Sequence, residues 1–449
     1  MANVIRLRKG LNINLKGRAS EQVSKTVVSG EYALVPDGFV GVTPKVVVHE
    51  GDYVKAGDAL FVNKHYPDVK FSSPVSGQVV AVERGERRKV LCVKVKAEDE
   101  QHYQSFDTLD VKAAEGSQVI DLLLKAGLFG YINQLPYAVS TNPTIMPKAI
   151  FVSALRDMPL AADFEVELKG NEEAFQTGLT ALSRIAKTYL GIGAKQQAAA
   201  LVNAKNVEVN VFDGPCPAGN VGVQVNHINP VNKGEVVWTV NPSAVIFFGR
   251  LFMTGKVDLT RTIAVAGSMV KEPSYVSTLV GTPLSVILDS KLTTNVHVRI
   301  INGNPLTGVK SSLNDFLSPC ASEVTVIPEG DNVNEILGWI MPRFGQFSTS
   351  KSYFSWLCKG KEYDLDARIK GGERHMIMSG EYDKVLPMDI YAEYLIKAII
   401  TGDIDRQEQL GIYEISPEDF AVAEFVDSSK LELQRIVRDG LNVLRKENA

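Results

Sequence analysis

Closely spaced cysteines are absent from this sequence of 449 residues. Its four cysteines, Cys92, Cys216, Cys320 and Cys358, stand far apart and form no Cys-x-x-Cys pair. Iron–sulfur clusters and structural zinc sites usually depend on such pairs. The six histidines are also scattered, without a His-Glu-x-x-His motif. We therefore expect reduced, mostly buried thiols, no metal site and no iron–sulfur cluster in this chain.

Long apolar runs and an excess of basic charge are missing as well. No stretch reaches the ~18 apolar residues that a membrane-spanning helix needs. The nearest, PSAVIFFGRLFM, is broken by Gly249 and Arg250. No apolar segment follows the basic residues of MANVIRLRKG, so a secretory signal is not predicted. The net charge of -4 gives no support for binding nucleic acid. The pattern predicts a soluble or peripheral protein.

What is present begins with a carrier-like N-terminal region. The stretch from His49 to Val82 contains two Gly-Asp turns, short alternating strands and an SSPVSG turn cluster. This pattern resembles the barrel-sandwich hybrid of biotinyl and lipoyl domains. The position of their modified lysine is taken here by Pro67, and neither Lys64 nor Lys70 has the carrier context. We interpret the region as a scaffold that carries no cofactor covalently.

Strands then alternate with helices, which is typical of an α/β layer. SQVIDLLLKAGL and NEEAFQTGLTALSRIAKTYLG have helical periodicity, and the second is expected to run on to Gly191. KAIFVSAL and VEVNVF have the pattern of buried strands. Short strands return after residue 255, among them TRTIAVAG, PLSVIL and EVTVIP, and the C-terminus is helical again, with Gly402 ending one helix.

The predicted fold class is therefore α+β and multidomain. It combines a barrel-sandwich hybrid, a Rossmann-like α/β domain, a β-grasp-like (SLBB) module and a C-terminal helical domain. The expected boundaries are 1–112 for the barrel-sandwich hybrid, completed by strands from 255–285; 113–254 for the α/β domain; 286–346 for the β-grasp-like module; 347–385 for a linker; and 386–449 for the helical domain.

The segment AGLFGYINQLPYA resembles a glycine-rich flavin loop, the one found in the flavin subunit of complex I and in the related C subunit of electron-transport complexes. Gly127 and Gly130 remain, but YINQLP replaces the glycines that let a backbone approach the flavin phosphate. One interpretation is an ordinary helix end at these glycines. The other is a pocket relined for a ligand with an apolar ring. Its candidate residues are Tyr131, Asn133, Leu135, Pro136 and Tyr137.

Two further loops do not meet the requirements of known sites. The first spacing among Gly214, Gly219 and Gly222 does not fit the dinucleotide-binding pattern, so a tight strand-to-helix turn is expected there. Asp403 and Asp405 begin an EF-hand-like run, but the ligands that should follow are missing. No catalytic Ser-His-Asp or Cys-His arrangement can be assembled from local sequence, so no catalytic residue is predicted.

Along nearly its whole length the chain resembles the A subunit of the bacterial Na+-translocating NADH:quinone oxidoreductases. The resemblance is carried by IRLRKGLNINLKG, FSSPVSGQV, DMPLAADFEV, FQTGLTALSR, GPCPAGNVG, INGNPLTG and, most specifically, SGEYDKVLPMDIYAEYLIKAIITGDIDRQEQLG. One departure lies in GPCPAG, where Cys216 stands in the place of an expected histidine. A role carried by that histidine in the family is therefore not transferred to this chain.

The resemblance implies a peripheral, redox-silent subunit on the cytoplasmic face of the bacterial inner membrane. Its partners would be the other five subunits, especially the B subunit in the membrane, with ubiquinone as ligand and no flavin or iron–sulfur cluster of its own. It would contribute to quinone reduction by binding quinone or by supporting the quinone site of the membrane subunit. The alternatives are a pure assembly scaffold and an electron carrier with flavin and iron–sulfur centres, like the C subunit of electron-transport complexes.

The scaffold interpretation of the carrier-like region can be tested by mass. After co-expression with a biotinyl or lipoyl ligase, the intact mass of the purified chain should equal that of the bare polypeptide, because Pro67 occupies the position of the modified lysine. A mass increase of one biotinyl or lipoyl group would contradict the interpretation. A genuine carrier domain treated in the same cells serves as the positive control.

Overall fold

The computed structural model describes residues 3–293, 296–331, 340–358 and 360–448. The predicted β-grasp-like module and linker therefore each include residues outside the described part, at 294–295, 332–339 and 359. The first nine strands are β1 (Asn3–Arg6), β2 (Ser20–Thr26), β3 (Glu31–Leu34), β4 (Pro44–Val46), β5 (Tyr53–Val54), β6 (Ala59–Asn63), β7 (Lys70–Ser72), β8 (Gly77–Arg84) and β9 (Val90–Ala97).

Seven of these strands form the predicted barrel-sandwich hybrid. A four-stranded sheet in the order β3-β9-β8-β5 faces a three-stranded sheet in the order β4-β6-β7. Phe61 and Phe71, on the adjacent strands β6 and β7, stack with ring centroids 4.7 Å apart, and Phe39 packs against Phe71 at 4.4 Å. The hairpin turn between β6 and β7 exposes Pro67 at the position where carrier domains hold their lysine.

The α/β part of the chain follows. Its elements are α1 (Gly116–Lys125), β10 (Ile132–Leu135), β11 (Val139–Ser140), β12 (Ala149–Ser153), α2 (Phe164–Leu168), α3 (Glu172–Ile185), β13 (Thr188–Gly193), α4 (Ala199–Val202), β14 (Glu208–Asp213), α5 (Val221–Ile228), β15 (Val237–Val240) and α6 (Pro242–Thr254). The sheet order is β1-β14-β13-β12-β15-β10-β11, and the five strands from β1 to β15 are parallel.

Both faces of this sheet are covered, as a parallel sheet requires. Along β12, Ile150 and Val152 join the core shared with α1, α3 and α6, whereas Ala149 and Phe151 pack on the side of α5. The α3 helix ends at Ile185, and the expected extension to Gly191 is wrong. Residues 188–193 form β13, which is buried along its whole length between β12 and β14.

A six-stranded sheet holds the remaining strands. The elements after α6 are β16 (Thr260–Ala266), β17 (Ser274–Leu279), α7 (Leu284–Ile287), β18 (Val298–Asn302), β19 (Val309–Ser311) and β20 (Glu323–Pro328). The sheet order is β19-β18-β20-β16-β17-β2. The strands from 255–285 therefore do not complete the barrel-sandwich hybrid, and that expectation is wrong. They pair with β20 and with the N-terminal β2, and PLSVIL forms the short α7 rather than a strand.

The C-terminal region is helical, as predicted. It contains α8 (Tyr382–Val385), α9 (Ala392–Thr401), α10 (Ile404–Gln409), α11 (Ala421–Val426) and α12 (Leu433–Glu447). Gly402 ends α9 in the left-handed conformation, with φ of 71°. The helices share a core with Leu7, Phe212 and Val223, so they dock on the β1–β14 edge of the parallel sheet.

Asp419 fastens these helices to the α/β part. Its carboxylate accepts hydrogen bonds from the backbone N–H and hydroxyl of Ser416, both at 2.8 Å, and from Asn220 Nδ2 at 3.3 Å. A Cβ at Gly222 would lie 2.2 Å from Asp419 Oδ2, so the helix that begins at Val221 needs a glycine there. Glu418 follows Pro417 in the same turn and opens toward the interior of the molecule.

Two glycines let α3 and α6 touch through their backbones. A Cβ at Gly178 would lie 2.1 Å from the carbonyl oxygen of Val245, and one at Gly249 would lie 1.7 Å from that of Ala174. Gly249, which interrupts the longest apolar run of the sequence, is thus a packing residue. Close packing of this kind tolerates no additional methyl group unless the helices separate.

We expect Gly249→Ala to lower the free energy of unfolding by about 1–3 kcal/mol or more, because overpacking outweighs the ~1 kcal/mol gain in helix propensity. Gly30→Ala is the matched control, since a Cβ at Gly30 meets no atom within 4 Å. Chemical denaturation of the purified chains measures both. Equal stability of the two variants would contradict the proposed close contact of α3 and α6.

The carboxyl pair Glu418 and Asp419 should make stability depend on pH. Burial raises the pKa of both groups, and the neighbouring Asp419 raises that of Glu418 further. The folded chain then binds more protons than the unfolded chain. The stabilisation is therefore fully present below the ordinary carboxyl pKa of about 4 and is lost as pH rises through the raised values.

We expect Glu418→Gln to reduce the loss of unfolding free energy between about pH 5 and about pH 8, because one of the two raised carboxyls no longer titrates. Glu100→Gln, which changes an exposed carboxylate in a loop, should leave the pH profile as it is in the unmodified chain. Denaturation at both pH values measures the difference, and identical profiles for all three chains would refute the assignment.

Candidate functional site

The order of the parallel strands places a cavity at one edge of the sheet. From β12 the chain moves outward to β13 and β14 and then returns to β15 on the other side of β12. Ligands of open α/β sheets bind outside the carboxyl ends of the strands at such a reversal. A cavity of about 530 Å³ lies there, lined by Ser153 and Leu155–Asp157 at the end of β12 and by Asn241–Ser243 after β15. Its volume suits a small-molecule ligand.

All four parts of the fold contribute to the cavity wall. The N-terminal barrel-sandwich hybrid supplies Gly38 and Val40. The α/β part supplies the strand ends, and the six-stranded sheet with its loops supplies Arg261 and Cys320. The C-terminal helices close the wall with side chains that include Arg438. The cavity is therefore an interface of all the domains rather than a pocket within one of them.

The predicted ring-binding segment lies at this cavity, but only in part. Tyr131, Asn133 and Leu135 line it, because alternate residues along β10 point to the same side of the strand. Pro136 and Tyr137 follow in the turn to β11 and lie outside the lining. The carbonyl oxygen of Tyr137 accepts from Arg438 Nη1 at 2.8 Å, and its hydroxyl accepts from Asn448 Nδ2 at 3.3 Å, so Tyr137 joins the turn to the C-terminal helix.

Tyr131 has an apolar surround and an unsatisfied hydroxyl. Its side chain is 6% exposed, and its ring meets Phe39 and Phe247 edge to face, with centroids 5.1 and 5.8 Å away. The hydroxyl has no hydrogen-bond partner within the described residues. Burial raises the pKa of this phenol, so it stays protonated and is available as a donor. A buried polar group without a partner is costly, and either an ordered water or a ligand would satisfy this hydroxyl.

The two glycines retained from the flavin loop serve domain packing. A Cβ at Gly127 would lie 2.0 Å from Ser72 Oγ, and one at Gly130 would lie 2.2 Å from the ring of Phe71. Ser72 Oγ also donates to the carbonyl oxygen of Ala126 at 2.5 Å. Both glycines therefore pack against β7 of the barrel-sandwich hybrid. They do not form an open phosphate-binding loop.

Charged groups surround the other wall of the cavity. Arg156 Nη1 lies 3.0 Å from Glu167 Oε2, which also accepts from Ser243 Oγ at 2.8 Å. Asp157 Oδ2 accepts from the backbone N–H of Gly219 at 2.9 Å, while its Oδ1 has no partner within the described residues. Burial raises the pKa of Asp157 to about 6. The cavity thus has apolar walls with a few polar groups, which is the composition of a ligand site.

Cys216 lies outside the cavity lining, whereas Gly219 of the same loop belongs to it. The Cys216 thiol is buried 3.6 Å from Met158 Sδ, and its backbone N–H donates to Asn12 Oδ1 at 2.9 Å. Burial, with a contribution from Asp157, raises the pKa of this thiol, so it is an inert packing group. A Cβ at Gly219 would lie 2.6 Å from the carbonyl oxygen of Leu155, so this loop packs closely against the loop after β12.

Arg261, Cys320 and Phe247 are among the lining residues that the sequence reasoning missed. Of these three, Arg261 alone carries a sequence signal, because a charged residue inside the buried strand pattern LTRTIAV requires a partner.

No group of His, Cys, Asp and Glu side chains that could hold a metal ion occurs among the described residues. Within the same residues, no helix has the length and apolar character needed to cross a membrane.

Family models match segments of the first three parts of this architecture, between residues 5 and 312. Three family models match, described as the NqrA N-terminal barrel-sandwich hybrid domain at residues 5–98, the NqrA second alpha/beta domain at 114–257 and the NQRA C-terminal domain, of SLBB type, at 262–312. A solved structure of an NAD+-reducing [NiFe]-hydrogenase in the air-oxidized state aligns over 48% of this chain and 47% of its own chain, at 15% identity. The TM-score is 0.36, so this likeness is too weak to support a conclusion.

Relatives that align over their full length show which family the chain belongs to. The A subunit of the Na(+)-translocating NADH-quinone reductase of Neisseria meningitidis serogroup A is 34% identical, and the alignment covers 99% of this chain and 100% of the relative. Its counterpart in Yersinia pestis bv. Antiqua is also 34% identical, and that of Photorhabdus laumondii subsp. laumondii is 32% identical, both with the same coverage. The chain therefore belongs to the NqrA family, the A subunits of the Na+-translocating NADH-quinone reductases.

Proposed function

We propose that this chain works as a peripheral, redox-silent subunit of a Na+-translocating NADH:ubiquinone reductase, and that it binds the quinone headgroup in the cavity at the end of β12 and β15. It sits on the cytoplasmic face of the bacterial inner membrane with the other subunits, the membrane-embedded B subunit in particular. Family membership supports the assembly. The single observation that supports quinone binding is the buried, unpaired hydroxyl of Tyr131 in the cavity wall.

The wall around Tyr131 suits a quinone ring. Phe247, Leu135 and Leu155 supply apolar surface, and the Tyr131 phenol supplies a hydrogen-bond donor. A quinone presents a flat apolar ring with carbonyl oxygens, which accept hydrogen bonds and donate none. Such a ligand would satisfy the hydroxyl that the protein leaves unpaired and would bury its ring against the apolar walls.

The same surroundings argue against a bound flavin mononucleotide. In a phosphate-binding loop, glycines leave backbone N–H groups open to the ligand. Here Gly127 and Gly130 are covered by Ser72 and Phe71 of the barrel-sandwich hybrid. The chain is therefore proposed to assist the quinone step by binding quinone, and the electron carriers are assigned to its partner subunits.

Tyr131→Phe tests quinone binding through two measurements: we expect the ligand affinity to fall and the unfolding temperature to rise. Loss of one neutral hydrogen bond should weaken short-chain ubiquinone binding to the full chain by about 2- to 10-fold, as measured by titration calorimetry. The same variant should unfold at a slightly higher temperature, because the unpaired buried hydroxyl is gone. Tyr137→Phe is the control: it lies outside the cavity lining, so quinone affinity should stay as in the unmodified chain.

The combination of results separates the candidate functions. Weaker binding with higher stability supports the quinone site. Unchanged quinone affinity with higher stability, or no binding in the unmodified chain, would leave the chain as an assembly scaffold. The corresponding measurement on the assembled complex is the KM for ubiquinone, which should rise for Tyr131→Phe and stay constant for Tyr137→Phe.

A visible absorption spectrum of the purified chain addresses the electron-carrier alternative. Because the glycine loop packs against Ser72 and Phe71, we expect no flavin or iron–sulfur band. The C subunit of an electron-transport complex, prepared in the same way, is the positive control. A flavin band in stoichiometric amount would overturn the redox-silent assignment.

A further inference from the structure

Three polar side chains near the cavity come from separate parts of the fold. Tyr131 precedes β10, Arg261 lies in β16 and Cys320 lies in the loop before β20. All three line the cavity. They are also within electrostatic reach of one another: burial raises the pKa of the Tyr131 phenol most, Cys320 raises it further, and Arg261 lowers it. We refer to these residues as the Tyr131–Arg261–Cys320 cluster.

Arg261 is buried with part of its hydrogen-bonding capacity unused. The residue is 3% exposed, its Nη1 donates to the carbonyl oxygen of Pro319 at 2.9 Å, and its Nη2 donates to Ser243 Oγ at 3.1 Å and Ser322 Oγ at 3.2 Å. A guanidinium carries five N–H groups. Nε has no hydrogen-bond partner within the described residues. A buried guanidinium in this state has N–H groups left for an acceptor.

The charge of Arg261 is also only partly balanced. In the described part of the chain, Glu167 has the one carboxylate within 4.0 Å of this guanidinium, with Oε1 at 3.9 Å from Nε. That carboxylate lies closer to Arg156, at 3.0 Å, so its charge is shared by two guanidiniums. Glu323 lines the same cavity, but burial raises its pKa and favours its neutral form. An acceptor oxygen in the cavity would therefore be attracted to Arg261.

Cys320 opens into the cavity beside these donors. Its side chain is solvent-accessible although protein surrounds it, because the accessible surface belongs to the cavity wall. Burial raises the pKa of the thiol, so it reacts slowly at neutral pH and retains its proton. Cys92 and Cys216 are buried in the protein interior, and Cys358 is exposed outside the cavity lining. Cys320 is thus the cysteine that a ligand in the cavity would cover.

We propose that Arg261 is the charged anchor for an acceptor oxygen of the cavity's ligand, that the Tyr131 hydroxyl is the second donor, and that the ligand held there shields Cys320 from modification. The inference rests on the proposed function, in which the ligand is a quinone and the acceptor is a ring carbonyl. It adds a ligand-binding residue from the six-stranded sheet to the hydrogen-bond donor that Tyr131 of the α/β part supplies.

Alkylation of the full, unmodified chain by iodoacetamide tests the shielding. Peptide mass spectrometry measures the rates at Cys320 and Cys358 with and without short-chain ubiquinone. At a quinone concentration about ten times the Kd, about one site in eleven is free, so the rate at Cys320 should fall about tenfold. The rate at Cys358 should stay constant, which controls for direct effects of quinone on the reagent.

Variants of Arg261 test the anchor. Arg261→Met, which removes the charge and keeps a long side chain, should weaken ubiquinone binding by about 10- to 100-fold, the range for a hydrogen bond to a charged group. The ubiquinone affinity of Arg261→Lys should lie between those of the unmodified chain and Arg261→Met, because lysine keeps the charge and loses the planar guanidinium. The rate of Cys320 alkylation without ligand, together with the circular dichroism spectrum, shows whether each variant keeps the cavity.

The outcomes separate this inference from the proposed function. Absence of quinone binding to the unmodified chain by calorimetry would refute both. Quinone binding without protection of Cys320, or with equal affinity in folded Arg261→Met, would overturn the anchor and leave quinone binding intact. If the methionine variant does not fold, protection of Cys320 in the unmodified chain and the affinity of Arg261→Lys still decide the matter.

Discussion

The buried carboxylate of Glu167 holds the centre of the molecule together. It lies at the end of α2 and receives Arg156 from the loop after β12 and Ser243 from the first turn of α6, with Arg261 of β16 at a longer distance. Four segments of the chain are thus tied to one side chain that is 2% exposed. Removing one partner from such a buried network typically costs about 3–5 kcal/mol, because the others keep their charge without compensation. The cavity has a defined shape because its charged wall is fixed in this way.

Local sequence signals predicted those elements whose reasons are local. The α1 helix, the buried β12 strand, the β14 strand and the glycine end of α9 at Gly402 all appear where periodicity and turn chemistry placed them. The family resemblance, stated from motifs, was confirmed by full-length relatives. Of the five residues predicted to bind a ring ligand, Tyr131, Asn133 and Leu135 line the cavity because they follow one another at the spacing of a strand face. Pro136 and Tyr137 lie in the turn beyond it, and ring binding itself stays a prediction.

The failures came from distant pairing. Thr188–Gly193 continues the periodicity of α3 in sequence, yet it forms β13 because β12 and β14 offer it hydrogen-bonding partners on both sides. The strands β16 and β17 pair with β20 and β2, and no local pattern shows which sheet they enter. Arg261 and Cys320 reach the cavity only through this sheet. Their place in the site was therefore beyond prediction from sequence windows, although the charge within a buried strand was visible.

A wall assembled from four domains has a thermodynamic consequence. A molecule that fills the cavity contacts the barrel-sandwich hybrid, the parallel sheet, the six-stranded sheet and the C-terminal helices together. Separating any of these parts would break some of its contacts, so occupancy favours the one arrangement in which all four meet. The bound molecule would couple the domains into a single cooperative unit. Their thermal unfolding transitions would then shift together to higher temperature as the cavity fills. By thermodynamic reciprocity, an event that rotates one domain against the others must also change the affinity of the cavity for its ligand.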